Sequence, residues 1–304
     1  MRRLAVVAVF LVACGILPAH AQTIALAFKK GDTYKYGLHL TASFNIQMGT
    51  VSQDVKIDAK AKESVAVTSV ESDGTADISL TVSDMTITTT GKSPDGQTST
   101  TTTTNSSAIP PQQIKVAPDG RILSVNGESI SAQSPFGVLV GSNLAYAVLP
   151  DTAVKPGDKW AKSYDQSQPG GQSSVHVTSN STYLRDESFH GVNAAVIETK
   201  STATFTMSFG SLGNAPNGPP GESQPGGAQP TPAPPVVGGA SMQGTVTSDT
   251  ISWVDPGARR VLKSTEKADL KSTISGLATG TAAAGAFAGG VTITGNQSLD
   301  LEPA

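Results

Sequence analysis

Apolar and polar residues take turns along most of the chain, and this period of two predicts β-strands rather than helices. The clearest stretch is 55–67, where lysine or aspartate fills the even positions from 56 to 62 and apolar residues fill most odd positions. One face of such a strand packs against the protein interior and the other faces solvent, which is typical of an antiparallel sheet. In the next stretch, 76–87, the apolar parity changes between Val82 and Met85, which predicts a β-bulge.

Glycine–aspartate pairs, often beside proline, mark the turns between these strands. The turn signals are Gly31-Asp32, Asp73-Gly74, Pro118-Asp119-Gly120, Gly157-Asp158, 186–191 and Asp255-Pro256-Gly257. Further strands are expected at 34–48, on both sides of the turn within 114–125, from Trp160 onward, and at 175–183, 195–209, 245–253, 259–274 and 291–301.

The stretch from Leu149 to Trp160 marks a joint between two similar halves. Its end, Lys-Pro-Gly-Asp-Lys-Trp, echoes Lys-Lys-Gly-Asp-Thr-Tyr at 29–34, and in both halves the strands, turns and one low-complexity stretch follow in the same order. Shared landmarks in a shared order indicate an internal duplication. We therefore expect a first β repeat at 22–150 and a second at 151–304.

Two kinds of segment interrupt the alternation. The best helix signal runs from Ser134, an N-cap, through Pro135 to the stop at Pro150, and an alanine- and glycine-rich segment at 276–290 occupies the same place in the second half. Residues 91–108 are threonine-rich and predict a mobile loop or a solvent-exposed hairpin tip. Residues 210–239 are rich in proline and glycine and predict a disordered insertion.

These patterns together predict an all-β protein of two repeated, curved antiparallel sheets, half-barrel-like, with one or two short helices. Composition agrees, since threonine and valine suit pleated surfaces and good helix formers are scarce. Charged residues make up 15% of the chain and the formal net charge is -3, so no basic surface for nucleic acid is expected.

The first 21 residues have the form of a secretory signal peptide. Arg2 and Arg3 precede an apolar run that is too short to span a bilayer comfortably, and Ala19-His20-Ala21 supplies the cleavage pattern. A mature chain beginning at Gln22 outside the cytoplasm, periplasmic or secreted and without a transmembrane span, is one reading. The other uses Cys14, the only cysteine, as the lipidated first residue of a lipobox, which would anchor the protein to a membrane.

No catalytic, cofactor or metal constellation stands out in the sequence. His39, His176 and His190 lack a second histidine at metal-ligand spacing. Ser264 to Lys267 matches a serine–lysine hydrolase tetrad in letters, but an alternating strand places its serine and lysine on opposite faces. Asp32 and Asp158 follow turn glycines, so we expect turn capping from them. We therefore expect neither enzyme activity nor a cofactor.

The Gly-Asp-Thr-Tyr and Pro-Gly-Asp-Lys-Trp strand starts, with Leu149-Pro150 before the second, resemble those of a family of bacterial exported β proteins of unknown function. More distantly, the plan resembles the half-barrel lipid and lipoprotein carriers of the bacterial envelope. That resemblance implies a strongly bent antiparallel sheet around an apolar cavity plugged by helices. It transfers no functional residue to this chain.

Two functions follow as hypotheses. One is a binding module that holds a lipid or another apolar small molecule within a curved sheet, and the other is a structural or protein-interaction module of the bacterial envelope or surface. Large apolar residues near the expected cavity are the predicted ligand-lining set. They are Phe136, Leu139, Leu144, Trp160, Phe205, Trp253 and Phe287.

Overall fold

The structure is a computed structural model that describes residues 21–92, 96–105, 110–127, 147–167, 173–208, 240–276 and 290–304. Within them lie 12 β-strands. The first half contributes β1 Thr33–Met48, β2 Val51–Val70, β3 Ala76–Lys92, β4 Thr98–Asn105, β5 Gln112–Val116 and β6 Ile122–Val125. The second half contributes β7 Lys159–Ser167, β8 Ser173–Phe189, β9 Val192–Ser208, β10 Ser241–Asp255, β11 Arg260–Ser275 and β12 Val291–Pro303.

All the strands belong to one curved, unclosed antiparallel sheet. Its order is β6-β5-β3-β2-β1-β12-β11-β10-β9-β8-β7, and β4 pairs with the far half of β3. The two halves of the chain therefore meet in the middle, where β1 and β12 pair from Tyr36–Pro303 to Met48–Val291. This confirms the all-β class and the curved antiparallel architecture, and it shows that both halves share one sheet.

Some sequence predictions fall where the structure gives no description. The helix signal lies largely in 128–146, the alanine- and glycine-rich segment in 277–289 and the proline- and glycine-rich insertion in 209–239, all outside the described residues. The signal segment 1–20 is also outside them. The described residues contain no helix.

The predicted bulge between Val82 and Met85 is confirmed. The β2–β3 register shifts where Lys60 pairs with Thr86 and Lys62 with Ser83, and Asp84 takes a positive φ of 50°. The predicted hairpin at 91–108 is also confirmed in its solvent-exposed form. Every residue of β4 is exposed, and threonine hydroxyls pair across the β3–β4 ladder.

The two Gly-Asp turns have the same local structure. Gly31 and Gly157 take φ of 93° and 95°, a region that favours glycine because it has no Cβ. The glycine amide donates to the carbonyl of Val67 in the first turn and of Tyr183 in the second, at 2.9 and 2.7 Å. The strand starts are thus built alike, while duplication of the halves stays a prediction.

Alternation gives the sheet a buried inner face and a polar outer face. At one end, which we call the lower end, inner-face residues of β1, β2, β3, β8 and β12 pack with segment 22–28 and with 147–154. The fully buried members include Ile24, Ile78, Leu149, Tyr183 and Leu301. Gln22 forms a β-bridge with Val154, which ties the start of the described chain to the joint between the halves.

At the other, upper end, a second apolar cluster covers the inner face of β1, β8, β9, β10 and β11. Here aromatic rings lie over glycines on the neighbouring strand. A Cβ added at Gly295 would lie 2.3 Å from Phe44, and one at Gly244 would lie 2.6 Å from Phe205. These glycines leave the space that the rings fill.

The two edges of the open sheet are tied by buried charges. Lys162, on edge strand β7, donates to Asp119 in the β5–β6 turn at 2.6 Å, and their side chains are 12% and 8% exposed. Arg121 also binds Asp119, at 2.7 Å. An inward charge on an edge strand disfavours pairing with another sheet. Here the same charge closes the lower end of the fold.

Candidate functional site

Between the two apolar clusters, the inner face of the second half carries polar side chains. One cross-strand row runs from β7 to β12 through directly paired residues. Its members are Trp160, Ser181, Thr199, Thr250, Glu266 and Leu299. The polar members are buried, so each needs a hydrogen-bond partner inside the protein.

Much of this polar row holds the joint between the halves in place. Thr199 accepts from the amide of Val148 at 3.2 Å, and Ser181 donates to the Val148 carbonyl at 3.1 Å. The indole of Trp160 donates to the same carbonyl at 2.9 Å, and Ser252 accepts from the amide of Ala147 at 2.8 Å. These hydroxyls therefore serve structure, because they satisfy the backbone of an irregular segment.

Glu266 is a buried acid in the same row, and it has partners. Thr250 donates to its carboxyl at 3.4 Å, and Gln297 also hydrogen-bonds to it. Burial raises the pKa of Glu266 to about 7, and the two hydrogen bonds moderate that rise. Glu266 therefore changes charge near neutral pH while its hydrogen bonds keep it integrated in the sheet.

Glu63 is a second buried acid, on the inner face of β2, and its surroundings differ. It is 7% exposed, and no hydrogen bond or neighbouring charge shifts the pKa of its carboxyl. It lies opposite Tyr36 on β1 and Val82 on β3. Burial raises the pKa of its carboxyl to about 7. An isolated buried carboxyl is uncommon because it gives up water without replacement.

An apolar surface extends from Glu63 along the inner face of β1, β2 and β3. We call it the inner strip: Leu38, Leu40, Ile57, Ala61, Val82 and Ile87. Its residues are only half-buried, whereas inner-face residues of β8 and β9 such as Val177 and Ile197 are almost completely buried. The inner face is thus more completely buried on β8 and β9 than along the inner strip, although Ala42, Phe44 and Ala59 on β1 and β2 are buried as well.

The closed lower end has little room for a ligand. Its cavity, between segment 22–28 and the β10–β11 turn, has a volume of about 20 Å³. That is enough for one water-sized group. Its apolar walls include Leu26, Tyr36 and Ile78. This part of the fold is a packed core.

A larger, shallow groove of about 500 Å³ crosses β2, β1, β12 and β11, and both polar and apolar residues line it. Two of its polar side chains, Asn45 and Asp54, bind each other. Asn45 donates to Asp54 at 2.7 Å and to Ser52 at 2.8 Å. These groups do not require a ligand to complete their hydrogen bonds.

The predicted ligand-lining residues separate into three groups. Trp160 and Phe205 lie on the inner face, Trp160 beside the lower core and Phe205 within the upper cluster. Trp253 lies on the outer face, where its indole donates to Glu187 at 3.3 Å and Lys263 stands over its ring. Phe136, Leu139, Leu144 and Phe287 lie outside the described residues.

The structure also places a serine, a histidine and an aspartate in line on the outer face of β7 and β8. Asp165 is 2.6 Å from Nδ1 of His176, and Ser163 is 3.5 Å from Nε2 of the same ring. This is the order of a nucleophile, a base and an orienting acid. The side chains of His176 and Asp165 are 49% and 80% exposed, so water surrounds the arrangement.

The other chemical groups considered in the sequence lie apart. Asp158 caps its turn by accepting from the amide of Lys155 at 2.9 Å, and Asp32 accepts from the hydroxyl of Tyr34 at 3.0 Å. Ser264 is buried on the inner face of β11 while Lys267 is exposed, as expected for a strand. Among the described residues, no group of three metal-binding side chains converges.

Sequence reasoning missed the two buried acids, although the signal was present. Glu63 occupies the apolar parity of 55–67, and Glu266 occupies the inward parity of 262–274. An acidic residue at a position where the alternation predicts an inward apolar side chain is either a local irregularity of the strand or a buried acid. The structure shows the second.

Comparison with known proteins gives no family. No protein-family model matches the sequence, and no curated protein matches it. The suspected bacterial exported family therefore stays a prediction. Within the described residues there is no long apolar helix of the kind that crosses a bilayer.

Several solved structures align over most of the chain at low similarity. A structure on lipid–protein interactions in lipovitellin has 10% identity and a TM-score of 0.38, over 90% of this chain but 25% of that one. The hypothetical lipoprotein YmcC from Escherichia coli K12 has 12% identity and a TM-score of 0.23, over 87% of each chain. OccK7 from Pseudomonas aeruginosa has 6% identity and a TM-score of 0.28, over 90% of this chain and 99% of that one. At these identities and TM-scores the likeness carries no argument about function.

Proposed function

We propose that this protein is a non-catalytic, extracytoplasmic binding protein that holds a lipid or another apolar small molecule against the inner face of its sheet. The observation that carries the proposal is the inner strip. Six apolar side chains on three adjacent strands stand half-buried on the inner face, beside the buried Ala59. Contiguous apolar surface left partly open in this way marks a binding surface.

The rest of the fold supports this role. The lower core and the Lys162–Asp119 tie hold the ends of the sheet together, so the inner face keeps its curvature without a ligand. The inner strip lies on β1, β2 and β3, whereas the side chains that fix segment 147–149 lie on β7, β8, β9 and β10. A ligand on the strip therefore leaves the structural hydrogen bonds intact.

Native mass spectrometry of the protein purified from its producing cells, followed by solvent extraction, tests the proposal. We expect an apolar adduct that extraction removes. Leu40→Lys places a charge in the inner strip and is expected to abolish the adduct. Thr41→Lys is the matched control, because Thr41 is the next residue of the same strand and faces Asp58 on the outer face. Ligand-free wild-type protein that also fails to bind an apolar dye would refute the proposal.

The non-catalytic part has a separate test at Ser163. An activated serine reacts with a fluorophosphonate probe, whereas a serine in an open, water-filled arrangement does not. We expect no labelling of the folded protein. Labelling that disappears in both Ser163→Ala and His176→Ala would show that the outer-face arrangement is an enzyme site.

A structural or protein-interaction role is the second candidate, and strand β4 favours it. Thr98–Asn105 carries no charge and no proline, and within the described chain it pairs only with β3. Such an unprotected edge is a template for another strand. Sedimentation of wild-type protein and of Thr102→Pro decides this point. A specific assembly lost in the variant would favour the interaction role.

A further inference from the structure

Glu63 stands where the inner strip meets the lower core. Along β2 its inner-face neighbours are Ala61 in the strip and Val65 in the core. Across β1 it faces Tyr36, with Tyr34 one pair further along, and across β3 it faces Val82. The Tyr36 hydroxyl donates to the carbonyl of Val261 at 2.9 Å. No cation lies opposite Glu63 on β1 or β3. Arg259 and Arg260 line the lower cavity with Tyr36 and Val65, but no neighbouring charge shifts the pKa of the Glu63 carboxyl.

A carboxylate in this position destabilises the folded protein unless an opposite charge or hydrogen-bond donors pair with it. Taking a carboxylate out of water loses several kcal/mol of hydration, and only an opposite charge or good donors recover it. Every other inner-face acid of the described chain has partners: Glu266 has Thr250 and Gln297, and Asp119 has Lys162 and Arg121. Among these acids of the described chain, Glu63 is the one whose pKa is shifted by burial without any neighbouring charge or hydrogen bond.

We propose that Glu63 is the head-group contact of the inner-strip site, and that the ligand is an amphipathic molecule whose apolar chain lies on the strip and whose primary amine binds this carboxylate. The inference rests on the proposed function and gives its ligand a chemical class. The direction of the ligand follows from the layout. The strip leads away from the closed core, so the amine lies at the inner end, at Glu63, and the chain extends toward the upper end.

The chemistry of a buried carboxylate disfavours anionic and uncharged head groups at this position. A carboxylate, sulfate or phosphate would bring a second negative charge to a site of low polarity, and like charges there repel strongly. A hydroxyl can donate one hydrogen bond to Glu63 but brings no charge. An ammonium donates hydrogen bonds and cancels the charge at once, which makes a charge-assisted contact.

Calorimetric titration of the delipidated full chain at pH 8 with three probes of equal chain length tests the inference. The probes are dodecylamine, dodecanol and dodecanoate, each below its micelle concentration. We expect the amine to bind roughly 10- to 100-fold more tightly than the alcohol, as one charge-assisted hydrogen bond allows. The carboxylate is expected to bind most weakly.

Glu63→Gln keeps the shape of the side chain and removes its charge, so the preference for the amine is expected to fall to about that of the uncharged contact while dodecanol binding stays. Glu266→Gln is the matched control, since it is the same change at an inner-face acid that already has partners. It is expected to leave the preference unchanged. Circular dichroism establishes that both variants fold.

The outcomes separate this inference from the function beneath it. If the three probes bind wild-type protein equally, or if Glu63→Gln keeps the full amine preference, the head-group assignment is overturned and the apolar site stands. If no probe binds wild-type protein, the proposed function falls and the inference falls with it.

Discussion

Replacing Glu63 by glutamine should stabilise the protein, and the gain should grow as the pH rises from about 4.5 to about 7. Burial raises the pKa of this carboxyl from an ordinary value of 4.5 to about 7. Between these two values the folded chain holds a proton that the unfolded chain has released. Stability from this group is therefore fully present below pH 4.5, and it is lost as the pH rises through about 7.

The size of the effect follows from the same values. A rise from 4.5 to about 7 corresponds to about 3 kcal/mol of unfolding free energy, to order of magnitude. Glu63→Gln avoids this loss because the amide never ionises. For a chain of this size, about 3 kcal/mol moves the melting temperature by roughly 6–12 °C.

Thermal unfolding of both proteins from pH 5 to pH 8, followed by circular dichroism, measures the difference. We expect the two melting temperatures to lie close together at pH 5 and the variant to melt higher at pH 8. Glu71→Gln is the control, since Glu71 is an exposed acid just beyond the end of β2. A constant difference between wild-type and Glu63→Gln across the pH range would refute the reasoning, because it would mean that Glu63 stays ionised or is solvated in the folded chain.

Two further changes probe the packing and the edge tie. Gly295→Ala should destabilise the fold by about 1–3 kcal/mol or more, because the added methyl overlaps the ring of Phe44. Gly91→Ala is the control and should change stability little, because its added methyl lies 3.7 Å from the nearest side-chain atom. Urea unfolding measures both. Asp119→Asn should cost about 3–5 kcal/mol, because it removes the buried carboxylate that pairs with Lys162 and leaves only the 79% exposed Asp151. Asp151→Asn changes that exposed partner and should cost under about 1 kcal/mol. Equal losses from the two members of either pair would contradict these interpretations.

Much of the fold could be predicted from the sequence, because the alternation of apolar and polar residues in a half-buried strand shows which side chains face the interior. The alternation at 55–67 and the parity change after Val82 depend on local geometry, and the structure confirms the strand and the bulge. The turns at Gly31 and Gly157 were equally local, since the positive φ there is a property of one residue. These features required no knowledge of the rest of the chain.

The shared sheet and the candidate site could not be predicted in the same way. Pairing of β1 with β12 joins the first and last described strands, and no short-range pattern specifies which distant edge a strand will choose. Trp253 was assigned to the ligand-lining set by size alone, but its parity places it on the outer face beside Lys263. The sequence does not identify Glu63 as a buried acid, because a single acidic residue among apolar ones can also mark a local irregularity of the strand.

The pairing of β1 with β12 has a consequence for how the chain reaches its folded state. Partners such as Tyr36 and Pro303 lie far apart along the chain, so the middle of the sheet cannot be completed before β12 has been made. Contacts between such distant residues require closure of a very long loop, which slows folding. Until then β1 presents an open edge at the centre of the future sheet. A chain with this layout gains its full stability only after β12 has been made.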